Sequence, residues 1–122
     1  MAKGRKISGG KYKKFRKRKL HSIKGQTRKV KISERKKKII RKRGGNKKTV
    51  LLSENFINLI DIKTKKAKKV QIKNVLETPS DRFLARQNVL VKGAIIETEL
   101  GKAKITNRPS QEGMIQGILI KE

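Results

Sequence analysis

The sequence predicts an all-β fold, a small barrel-like module of about six strands behind a long basic N-terminal extension. Three observations predict it. Charge is divided unequally: 23 of the 36 Lys+Arg lie in residues 1–48 beside a single acid, Glu34, while residues 49–122 hold 13 basic and 8 acidic side chains. Apolar residues are divided the other way, with 8 Leu, Ile, Val or Phe in residues 1–48 and 30 apolar positions in the following 74. In that second stretch β-branched residues alternate with polar ones, the two-residue period that turns one face of a strand toward a core.

The extension comes first in the chain. Its share of Leu, Ile, Val and Phe, 8 of 48, lies below the roughly 20% that with high net charge marks disorder. Ordering each residue costs about 1–2 kcal/mol of backbone entropy, and like charges add repulsion. The extension is therefore expected to be disordered without RNA or another polyanion to hold it. Its charges fall in blocks: Lys11, Lys13, Lys14, Arg16, Lys17, Arg18 and Lys19, then Arg35 to Lys38, then Arg41, Lys42 and Arg43, then Lys47 and Lys48. Glycines at Gly9-Gly10, Gly25 and Gly44-Gly45 separate them and let the backbone press its amides against phosphates. A solvated tail or nuclear address is the plainer reading, but an address needs only about 5–8 basic residues. Fully extended, 48 residues reach on the order of 150 Å.

The module follows, and the expected boundary puts a basic extension at residues 1–48 and a β-barrel domain at 49–122. Val50 to Ser53 is the first strand. Ile60 and Ile62 point one way, Asp61 and Lys63 the other, and Val70 and Ile72 alternate with Gln71 and Lys73 beyond the lysine-rich connection Thr64 to Lys69, which reads as a hairpin. Thr78-Pro79-Ser80-Asp81 reads as a capped helical turn running to Arg86, with proline at its first position. Asn88 to Val91 is a strand. Ala94 to Leu100 and Ala103 to Asn107 flank a two-residue Gly101-Lys102 turn of type II′, which sets Leu100 opposite Ala103 and Thr98 opposite Ile105 inside, and Glu99 opposite Lys104 outside. Met114 to Ile120 is the last strand. Phe56 and Phe83 are assigned to the core. Closure into a barrel removes open edges, although a half-open sandwich fits the pattern too.

Composition excludes several functions. There is no cysteine and one histidine, His21, so neither a disulfide framework nor a Cys-containing zinc site is expected, and no metal or cofactor. Apolar runs are a few residues long, against about 20 for a membrane span and 7–15 for a signal peptide, so a soluble, intracellular protein with no membrane partner is expected. Glu97 and Glu99 share a strand face as a carboxylate pair would, but an exposed hairpin face explains them without chemistry. Gly93 to Lys102 has seven residues between its glycines where a phosphate loop has four, and Ala103 stands where a hydroxyl is needed. No triad is visible, and no enzyme is expected. Four aromatics, Tyr12, Phe15, Phe56 and Phe83, are too few for a base-stacking sheet. Tyr12 and Phe15 could stack on bases or anchor the arm on the barrel. Recognition must then rest on phosphates and helix shape; with six to ten phosphate contacts, affinity falls by roughly 10³–10⁵ between 50 and 200 mM salt.

Four separated motifs carry a resemblance: Arg5-Lys6-Ile7-Ser8-Gly9-Gly10-Lys11, Arg41-Lys42-Arg43-Gly44-Gly45-Asn46-Lys47-Lys48, Lys92 through Ala103, and Asn107-Arg108-Pro109-Ser110-Gln111-Glu112-Gly113. In this order and over nearly the whole chain, they resemble the family of the archaeal and eukaryotic protein number eight of the small ribosomal subunit, in its archaeal form. Leu20 to Gly25 departs from the family pattern. The resemblance implies a structural constituent of that subunit in the cytoplasm, with a β-barrel body and a basic arm embedded in small-subunit ribosomal RNA. Neighbouring small-subunit proteins are implied as partners, and no homo-oligomer. Carried over by motif, RNA contacts concentrate at Arg5, Lys6 and Lys11 and at Arg41, Lys42, Arg43, Gly44, Gly45, Asn46, Lys47 and Lys48, with the block from Lys13 to Lys19 between. A DNA-compacting chromatin-like protein and a ribosome-assembly factor are the alternatives, with an RNA-processing enzyme disfavoured.

Overall fold

The computed structural model describes residues 4–12, 19–23 and 25–120. It is built of strands β1 (Lys36–Arg41), β2 (Lys47–Ser53), β3 (Phe56–Ile60), β4 (Ala67–Glu77), β5 (Ile95–Thr98), β6 (Gly101–Ile105) and β7 (Gln116–Leu119), with one short helix, α1 (Arg82–Arg86). β3 to β7 close into a five-stranded barrel in sequence order, and β1 and β2 form a separate antiparallel ribbon. The all-β, barrel-like expectation is met.

The barrel closes where β7 lies parallel to β3 and antiparallel to β6. Residue 117 permits that closure. A Cβ there would sit 2.8 Å from Cδ1 of Ile57 and 2.9 Å from the carbonyl oxygen of Lys104, so only glycine lets β7 pass between its neighbours. Inside are Ile57, Leu59, Val70, Ile72, Val75, Ile96, Ala103, Ile105 and Ile115. Burying such side chains stabilises by roughly 1.5–3 kcal/mol each.

Strand parity came out as expected in β4 and β6 and differently in β3. Val70 and Ile72 face inward, but Ile57 and Leu59 are the buried pair of β3, while Ile60 and Ile62 are exposed. Five of the seven residues from Phe56 to Ile62 are apolar, so that stretch carries almost no alternation to read. The β5–β6 turn is also displaced. Thr98 pairs with Gly101 and Ile96 with Ala103, so Glu99 and Leu100 make the turn and Gly101 follows it. The Thr98 hydroxyl donates to the Gly101 carbonyl at 2.7 Å. The displacement is by two residues on each strand, an even number, so Thr98, Ala103 and Ile105 stay inside; Leu100 is 48% exposed.

Three smaller expectations change. Asp81, whose side chain accepts from the amide of Phe83, caps α1, and Pro79 lies ahead of the helix. Residues 88–91 make only a bridge, Lys31 to Val89. Neither phenylalanine is in the core: Phe83 stands 68% exposed on α1, and Phe56 lies under the Lys69 ammonium, 4.5 Å from its ring centre.

The second half of the basic extension is joined to the body. Val30 is 1% exposed within the core cluster, its carbonyl accepting from the amide of Leu90. The Lys31 carbonyl accepts from Glu54, and the Ser53 hydroxyl donates to the Glu34 carbonyl. β1 pairs with β2 across the expected boundary at residue 48. A cut there removes Val30 from the core and uncovers the edge of β2.

Candidate nucleic-acid interface

Thirteen residues, Lys36 to Lys48, carry eight cationic side chains and no acid. In the ribbon they fold back on one another, with Arg41 directly opposite Lys47. The Lys42 amide donates to the Asn46 carbonyl at 2.7 Å, and Gly44 and Gly45 turn the tip with φ of +77° and +80°. Two consecutive left-handed residues would cost other side chains roughly 1–2 kcal/mol each. Like charges directly opposite on neighbouring strands are destabilising, and Arg41, Lys42, Arg43 and Lys47 are all exposed on this tip. The tip therefore gathers four exposed cations around two glycines. Lys48 differs: its ammonium donates to the Gln111 side chain and tethers β2 to the segment between β6 and β7.

Two contacts seat the ribbon. The Leu51 amide donates to the Pro109 carbonyl at 3.3 Å, and Thr49 lies against residue 113, where an added Cβ would meet its Cγ2 at 2.8 Å. At the base, Arg35 and Glu54 form an ion pair at 2.9 Å, with the carboxylate side chain 5% exposed. These contacts aim the tip from one end of the barrel, the end that also bears α1 and the segment before β7.

The other expected RNA-binding segment, Arg5 to Lys11, is a tight turn. Arg5 bridges Lys11, the Lys6 and Gly10 backbones pair at 2.9 Å, and the Arg5 guanidinium donates to the Gly9 carbonyl at 3.1 Å. Ile7 projects fully into solvent, and the Lys6 ammonium stands 5.8 Å over the Tyr12 ring, which is itself exposed. These hydrogen bonds are local, so the turn is a unit of its own and is not joined by them to the ribbon tip. Lys19 precedes a one-turn 3-10 helix, Leu20–Ser22, whose Ser22 hydroxyl donates back to its carbonyl at 2.8 Å. Lys13, Lys14, Arg16, Lys17 and Arg18 lie outside the described residues, as does Phe15.

A second group of cations was read from the sequence only as a lysine-rich connection. Lys63, Lys65, Lys66 and Lys68 crown the connection from β3 to β4, all exposed. Because β3 runs away from the ribbon, this loop lies at the opposite end of the barrel. Its signal was five lysines in the seven residues 63–69. Catalytic alternatives gain nothing from the geometry: Glu97 lies opposite Lys102 on β6, while Glu99 is in the turn. Among the described residues no group of acidic or histidine side chains is gathered as a metal site would need, and no helix is long and apolar enough to cross a membrane.

Comparison with known proteins adds a family. A family model described as ribosomal protein S8e matches residues 1–120. The chain is 44% identical over 119 residues to a protein of Methanococcus aeolicus, covering 97% of this chain and 93% of the relative. It is 43% identical over 119 residues to one of Sulfolobus acidocaldarius, with the same coverage, and 42% identical over 115 residues to one of Nanoarchaeum equitans, covering 94% and 91%. Each relative is named small ribosomal subunit protein eS8.

Proposed function

The chain belongs to the ribosomal protein S8e family, and from that premise we propose that it is a structural constituent of the small ribosomal subunit, without catalytic activity, residing in cytoplasmic ribosomes. The observation that carries this reading is the match along nearly the full length of both chains, to relatives named for that subunit. Residues 1–48 act as the rRNA-binding extension, its second half seated on the body through Val30 and the ribbon, and the barrel within residues 49–122 positions it. Arg5, Lys6 and Lys11, the block Lys13 to Lys19 and the Arg41 to Lys48 tip neutralise phosphates where RNA helices converge. Neighbouring subunit proteins adjoin the barrel. Phosphate contacts fix register and orientation, and the narrow, deep major groove of A-form RNA leaves shape and backbone as what such an arm can read.

Removal of residues 1–29, which spares Val30 and the ribbon, tests this. The shortened chain is expected to give a β-type circular dichroism spectrum and a cooperative melt, and to be excluded from small subunits reconstituted with the full chain in competition. Equal incorporation of both chains would defeat the arm's role. Preference for small-subunit RNA over random duplex DNA at moderate salt separates this reading from that of a DNA compactor, and presence in mature subunits separates it from that of an assembly factor.

A further inference from the structure

The end of β4 and α1 enclose a cleft of about 500 Å³ lined by Asn74, Glu77, Thr78, Arg82, Arg86 and Asn88, among others. Its walls are irregular where the strand is. The register of β4 against β5 shifts between Ile72 and Asn74 and again between Val75 and Glu77, and Asn88 holds the left-handed conformation at φ +53°. Three features make it a built site. Thr78 is 1% exposed, and its hydroxyl Oγ1 has no hydrogen-bond partner. Leaving a buried hydroxyl unpaired is costly, and this one lies at the junction of β4 and α1 that forms the cleft wall. The side-chain carbonyls of Asn74 and Asn88 both accept from the Val75 amide, at 2.9 and 3.4 Å, which fixes the two amides and leaves their NH₂ groups as donors. Arg82 and Arg86, four residues apart and exposed, share one face of α1.

The geometry points to this cleft as a second RNA-binding site, one that takes a single unpaired nucleotide turned out of its helix. This rests on the RNA-binding function proposed above. Arg82 and Arg86 hold the phosphate as planar donors. Asn74 and Asn88 present donors to the base edge, and the Glu77 carboxylate accepts from a ring or exocyclic N–H. Such a mixture of donors and an acceptor in a concave wall reads an extruded base; a paired base in A-form RNA keeps that edge out of reach.

The test is photo-crosslinking of the full chain to small-subunit rRNA carrying 4-thiouridine, with crosslinked peptides and nucleotides identified by mass spectrometry. Crosslinks are expected both in residues 1–48 and in residues 74–88, the latter from unpaired nucleotides. The double variant Arg82→Ala, Arg86→Ala is expected to lose the second group by about tenfold while keeping the first. Asn74→Asp with Asn88→Asp serves as the second variant. It keeps the side-chain oxygens that accept from the Val75 amide and removes both NH₂ donors, so it is expected to keep a cooperative melt and to lose about fivefold in yield at the cleft. An unchanged yield would overturn the base-edge contact. Crosslinks in residues 1–48 alone would overturn the cleft and leave the extension's role standing. Their absence from both segments would remove both. Crosslinks at 74–88 from base-paired nucleotides would also overturn the proposal.

Discussion

The ribbon and the barrel are both β structure, yet they are held by opposite means. The barrel keeps its shape through its interior: Ile57, Ile72, Ile96 and Ile105 meet at its centre, and its backbone groups are paired around a closed circuit. The ribbon turns most of its side chains to solvent. It is fixed by backbone pairing, by two glycines at its tip, by one ion pair at its base, by the buried Val50 and Leu51 of β2 and by a seat on the segment before β7. A charged arm therefore does not need a core of its own. It can borrow its register from a neighbouring core and leave Arg41, Lys42, Arg43 and Lys47 exposed at its tip, at the cost of tolerating Arg41 opposite Lys47.

Three substitutions sharpen or break that contrast. The largest effect is expected on binding. Changing Arg41, Lys42, Arg43 and Lys47 together to Gln should weaken small-subunit rRNA binding by about a hundredfold near 100 mM salt and flatten the slope of log affinity against log salt by about 3 to 4. The melting temperature should hold or rise, since the cross-strand repulsion is relieved. Filter binding across a salt series and a thermal melt check both; an unchanged slope would mean that the tip meets no phosphate.

Gly117→Ala addresses the barrel. The added methyl collides with Ile57 and the Lys104 carbonyl, so urea unfolding is expected to show a loss of about 2–3 kcal/mol. Affinity measured on the folded fraction should stay unchanged. Should affinity fall as far as stability does, ribbon and barrel would not be separable in function.

The smallest effect is expected at the joint between them. Arg35→Ala strands the buried Glu54 carboxylate, at a cost of about 1–2 kcal/mol after allowing for the half-exposed guanidinium. Amide exchange should quicken in β1 before it quickens in β4. A uniform acceleration would show that ribbon and barrel open as one unit.

Much of the architecture was legible because alternation is a local code. Val70 and Ile72 in β4 and Ala103 and Ile105 in β6 were recognised as inward from their neighbours alone, whereas β2, read as a strand, buries the two successive residues Val50 and Leu51, which alternation does not predict. The errors fell where local signals were saturated or duplicated. Phe56 to Ile62 is too uniformly apolar to show its parity, and Gly101 with Lys102 made as good a turn on paper as Glu99 with Leu100. The Thr98 hydroxyl and the pairing of β6 with β7 are seen only in three dimensions. Phe83 went astray for another reason: hydrophobicity says what a side chain would prefer, while the short α1 leaves this one nothing to pack against.

The proposed binding surface divides the same way. The cations from Arg5 to Lys11 and Arg41 to Lys48 were named from sequence, because a cluster of like charge is visible without any structure. That Lys48 turns to Gln111, that Lys63 to Lys68 crown the far end of the barrel, and that Val30 is core depended on strands meeting from distant parts of the chain. By itself the sequence determined the charge asymmetry, the all-β class and most inward faces, since each follows from composition or from a two-residue period. Only the tertiary structure decided where the basic extension stops being an arm and becomes part of the body. That boundary is drawn by contacts such as Val30 with Leu90 and Arg35 with Glu54, whose partners lie tens of residues apart and leave no local trace.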